Sequence, residues 1–170
     1  MEAAWKETVW RQFGATIETL EGVMSACPEA LWSDRVQRPE FWYLVYHTLF
    51  FLDFYLSQPT ERFAPPPPFG LEELDPAGVL PERPYTKAEL GTYLEHCHRK
   101  CRERIAALTE TEAQRRYVLF SGIEIEIGEL LIYNLRHVQH HSAQLNLILR
   151  QQTDTATGWV SRAKDGLGVT

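Results

Sequence analysis

Four stretches of the chain repeat apolar residues at three- and four-residue steps, and each predicts an amphipathic helix. The first runs from about Ala3 to Met24, with Val9, Phe13, Ile17, Leu20 and Met24 on one face. Cys27-Pro28 follows, and the proline discourages further helix. The second opens near Pro39, a favoured first-turn residue, and continues to about Ser57. It is aromatic nearly all round, which predicts burial on more than one side and offers surplus aromatic surface for a homodimer. The third begins at Thr86-Lys-Ala-Glu89, a capping box, and turns Leu90, Leu94, Cys97, Cys101, Ile105 and Leu108 inward. The fourth starts close to Gly128 and runs to about Gln151.

Between the second and third helices lies a long connection, Gln58 to Pro84, whose Pro65–Pro68 run is extended. A loop of that length is expected to pack over the bundle or roof a site, with one helical turn at Leu71 to Leu74. Thr109 to Arg116 reads as a polar connector with room for a helical turn, and Ile123, Ile125 and Ile127 alternate with Glu124 and Glu126 as a short extended segment. The whole predicts an all-α, antiparallel four-helix bundle over residues 1–152. A tail over 153–170 is expected to pack on it, with Trp159 as its one large anchor.

The chain has 170 residues and a formal charge of −6, with no basic stripe. Nucleic acid is therefore not an expected partner, since affinity for phosphate backbones comes from clustered Lys and Arg. Three cysteines without regular spacing do not make a disulfide framework. Cys97 and Cys101 read as small apolar residues and Cys27 as a loop cysteine. No stretch reaches the ~18 apolar residues that span a bilayer, and Met1 to Trp10 carries no signal-peptide pattern, so a cytoplasmic protein is expected.

Candidate chemistry sits in the fourth helix. His137 and His141 stand one turn apart, so their imidazoles can converge on one ion. They share a stripe with Leu130, Tyr133, Asn134, Gln144, Leu145 and Ile148, whereas His140 is rotated to its flank. Burying both imidazoles unpartnered costs ~1–3 kcal/mol each, which either a metal or hydrogen bonds to Tyr133, Asn134 or Gln144 would relieve. His47, on the second helix between Tyr43 and Phe51, is the candidate third ligand. Asp53 falls on the wrong face to ligate beside it and suits a supporting or surface role. His96 and His98 lie beside the third helix's stripe. Glu95 and His98 make one Glu-x-x-His, but Asn134 denies His137 the second such motif a di-iron bundle needs. A mononuclear site results, suited to zinc or nickel, with iron, cobalt or manganese as alternatives.

His47 together with His137-Val-Gln-His140-His141-Ser-Ala-Gln144 resembles the DinB-like (DinB/YfiT-like) superfamily of metalloenzymes. Its members show a His-x-x-His-His-x-Gly-Gln run; here Ala143 replaces the frequent glycine. Gly158-Trp159-Val160 is similar to the family's tail. The resemblance implies a DinB/YfiT-like bundle with its long connection between helices 2 and 3, and His47, His137 and His141 as the metal ligands. It also implies that the chain, like some relatives, uses a low-molecular-weight thiol such as bacillithiol, mycothiol or glutathione in S-transfer to a small-molecule substrate. Two rivals stand beside that expectation: a hydrolase using hydroxide activated by the metal, and a non-catalytic metal-binding stress-response protein. Tyr43 and Asn134, each one turn before a ligand, are candidates to orient substrate from the rim, and Gln144 to fix an imidazole tautomer.

Overall fold

The computed structural model describes residues 3–36, 38–57 and 62–168. The first residues of the expected long connection, Gln58 to Glu61, lie outside them, as do the limits of the expected bundle and tail at Met1, Glu2, Val169 and Thr170.

Helix α1 spans Ala3–Ala26, α3 Phe41–Leu56, α4 Lys87–Ala107 and α6 Ile127–Thr153; short turns α2, Glu29–Trp32, and α5, Glu110–Ala113, lie between them. The four long helices close a ring in which α1 packs on α6 and α4, and α3 on the same two. The fold is mostly helical. Its small sheet is one antiparallel pair, β1 (Arg116–Val118) and β2 (Glu124–Glu126). Among the described residues no helix is long and apolar enough to cross a membrane.

Each long helix follows from its sequence. Thr86 accepts from the Glu89 backbone and Glu89 returns a bond to Thr86, so the capping box starts α4, and its six expected stripe residues are all buried. Pro28 ends α1 but, with φ already near helical, also opens the single turn α2. The aromatic second helix, α3, spends Phe41, Trp42, Tyr46, Phe50 and Tyr55 on the core, while Tyr43, Phe51 and Phe54 stay partly exposed. Strand β1 has no counterpart in the sequence pattern because Arg116-Tyr-Val carries no alternation of its own.

The tail lies across α1. Ala163 N–H donates to the Arg11 carbonyl at 2.8 Å, and Trp10 Nε1–H to the Asp165 carbonyl at 2.8 Å. Trp159, expected as its anchor, is 82% exposed; Ala163 and Leu167 are buried instead. The close approach depends on Gly14, where a Cβ would stand 2.6 Å from that of Ala163.

Candidate metal centre

The histidines gather where α3 meets α6. Asn134 Nδ2 donates to the Leu52 carbonyl at 3.0 Å, a buried bond that sets the register of one helix on the other. That register brings His47 opposite His137 and His141: ring centroids are 5.5 Å (47–137), 4.9 Å (47–141) and 4.5 Å (137–141) apart. Each offers one ring nitrogen, and the three lie within 4.8 Å of one another, close enough to share a cation.

Outer partners prepare two of the rings. His47 Nδ1–H donates to Glu73 Oε2 at 2.7 Å, and His141 Nδ1–H to Gln144 Oε1 at 2.7 Å. Because those oxygens only accept, each imidazole carries its proton on Nδ1 and keeps the Nε2 lone pair for ligation. His137 Nδ1 is buried and has no hydrogen-bond partner among the described residues, which costs ~1–3 kcal/mol. Burial, with its imidazole neighbours, pulls the His137 pKa down to about 3. Burial also brings His141 to about 4, although the bond to Gln144 opposes the shift. Both are neutral at neutral pH, the form that ligates. The donor set fits a divalent ion of borderline softness.

Glu73 has no signal in the sequence pattern. It sits in the 3₁₀ turn Glu72–Leu74 of the long connection, with only 6% of its side chain exposed. It also meets the Tyr43 hydroxyl, whose pKa rises through burial and through that carboxylate. Tyr46 donates to Glu72 Oε2 at 3.2 Å, pinning the same turn to α3. The expected helical turn at 71–74 is thus present, and its role is to deliver an acid to His47.

Other expected placements differ. Asn134 is not at a rim; it is fully buried and braces the helices. The Pro65–Pro68 run does not roof the histidines: Pro66, Pro67 and Pro68 line a separate cleft against α4, with Phe69 stacked on Tyr93 at 4.4 Å. The cover comes from the β1–β2 turn, where Leu119, Phe120 and Ser121 line a cleft with His47 and His137. Gly122, at φ 78°, makes that turn tight. Asp53 is 1% exposed and belongs to another cluster, bound by Lys100, by Tyr93 Oη–H at 3.1 Å, and 3.6 Å from His96 Nε2. His140 is exposed beside His141, and His98 packs edge-on against Trp10.

All three cysteines are free and buried. Burial raises Cys27 to about 11 and holds Cys97 and Cys101 well above the usual thiol range, so none is a thiolate at neutral pH.

A family model described as the DinB superfamily matches residues 12–145. No curated protein and no solved structure matches the sequence.

Proposed function

The chain belongs to the DinB superfamily, and from that premise we propose that it is a divalent-metal-dependent enzyme of the thiol S-transferase type, with the long helices in that superfamily's antiparallel bundle. His47, His137 and His141 are its ligands, and zinc or nickel its ion. The observation that carries the reading is the convergence of three ring nitrogens, from two helices, within 4.8 Å. Structural zinc is closed by four protein ligands, whereas three leave a position open for a reactant. When bound, the ion lowers the pKa of a thiol so that sulfur is available as thiolate.

The remaining work falls to the chain. Glu73 holds the His47 ring through Nδ1–H, and Gln144 holds His141 in the same way. Tyr43, bound to Glu73, steadies that carboxylate. Phe51 and the 119–121 turn wall the side of the cleft bounded by His47 and His137. The buried, protonated cysteines favour a thiol supplied from solution over one of the chain's own.

The test is to load the protein with zinc or nickel and to follow loss of free thiol from glutathione, bacillithiol or mycothiol against a panel of electrophiles. Thiol consumption that requires the metal and disappears in His141→Ala is the expected result. Turnover of ester or amide probes without thiol, or no turnover with any thiol, would contradict it.

A further inference from the structure

If the three histidines hold an ion as proposed, the walls beside them define the class of electrophile. His47 and His137 bound a cleft of 330 Å³ whose other walls include Phe51, Tyr55, Leu119, Phe120 and Tyr133. Apart from the histidines, none of the described residues lining it carries a charge. Tyr55 is protonated, its pKa raised by burial and by Tyr133, and its hydroxyl is bonded to that neighbour. The cleft's volume suits a single ring with small substituents.

Phe120 stands at the tip of the β1–β2 turn and is 68% exposed. It is nonetheless placed by its neighbours, stacked on Phe54 at 5.4 Å and 16° and edge-on to Phe51 at 6.2 Å. Tyr55 and Tyr133, which line the same cleft, pack edge-on against each other at 5.4 Å. A cleft walled by Phe51, Tyr55, Phe120 and Tyr133 suits a flat guest, since aromatic groups prefer offset-stacked or edge-to-face packing.

A second cleft, of 520 Å³, shares Tyr133 and His137 with the first and runs along α6 past Arg136, Gln139 and His140. Leu135 and Ala143 line that second cleft as well, so what distinguishes it is the presence of Arg136, Gln139 and His140 among apolar walls, whereas the cleft under the turn has no charged wall besides the histidines. We infer that the site takes a co-substrate with an uncharged aromatic group, which lies under the 119–121 turn against His47 and His137, while polar substituents and the thiol's polar body follow α6.

The experiment uses the full chain loaded with Co(II), whose visible spectrum reports a ligand entering the open position. Imidazole and 4-phenylimidazole serve as probes with the same metal-binding head. The phenyl group is expected to improve affinity by roughly tenfold to thirtyfold as its ring leaves water. Phe120→Ala is expected to abolish most of that preference without weakening Co(II) uptake, and Phe120→Leu to restore part of it. Equal affinity for the two probes, or a preference undiminished in Phe120→Ala, overturns the aromatic assignment alone. Failure of the unaltered chain to take up Co(II) overturns the metal site and this inference with it.

Discussion

Glu73→Ala removes a carboxylate that accepts from His47 Nδ1 at 2.7 Å with almost no solvent around it. At 6% exposure, screening by water is slight, so the bond falls in the charge-assisted class, worth ~1.5–3 kcal/mol. If His47 binds the ion, that energy is expressed as metal affinity, and its loss corresponds to a weakening of about 10- to 100-fold. Glu73→Gln keeps an oxygen for the same N–H but not the charge; a neutral bond worth ~0.5–1.5 kcal/mol leaves a deficit near ~1 kcal/mol, or about fivefold. The order of zinc affinities is therefore unaltered chain, then Gln, then Ala, read by competition with a chromophoric chelator. Tyr43→Phe, which leaves the His47 bond in place, falls nearest the unaltered chain. The reasoning is refuted if Glu73→Ala binds zinc as tightly as the unaltered chain while His141→Ala does not.

Three further outcomes are expected. His137 and His141 titrate at about 3 and about 4 when folded, against an ordinary 6.5. The unfolded chain thus takes up protons first, and metal-free stability must fall as pH drops from 6.5 toward about 4; a urea midpoint that is flat over that range would contradict the burial argument. Asp53→Ala takes the acceptor from the buried Tyr93 hydroxyl and leaves Lys100 with only neutral partners, Ser57 Oγ and the residue-53 carbonyl, and is expected to cost about 1–3 kcal/mol in denaturant unfolding while leaving zinc affinity intact. Gly14→Ala sets two methyl carbons 2.6 Å apart and should loosen the tail from α1 at a cost of ~1–3 kcal/mol, visible as faster amide exchange at Ala163 and Leu167.

The long helices and the histidine triplet were legible because both depend on periodicity. Spacing of one turn puts His137 beside His141, and an apolar face puts His47 at a helix–helix seam. What supports the triplet was not legible. Glu73 comes from a connection whose path is set by tertiary contacts, Tyr46 to Glu72 and Phe69 to Tyr93, that no local pattern encodes. The 119–121 turn was hidden for the same reason, since β1 is defined by its pairing with β2 and not by its own residues. Asn134 could be placed on the right helix face, but not in depth: whether a polar residue lies at a rim or under it depends on what the neighbouring helix offers, here the Leu52 carbonyl. Trp159 misled because size predicts burial only where something is available to cover the ring, and α1 instead receives Ala163 and Leu167.

The most direct measurement is elemental analysis of protein purified without metal-affinity steps, followed by zinc titration of the stripped chain and of its His47→Ala, His137→Ala and His141→Ala forms. One divalent ion per chain, tightly held, with each substitution abolishing that binding, is the predicted result. A stripped chain that takes up no zinc, or histidine variants that retain it, would show that the three rings meet for packing and not for a shared ion.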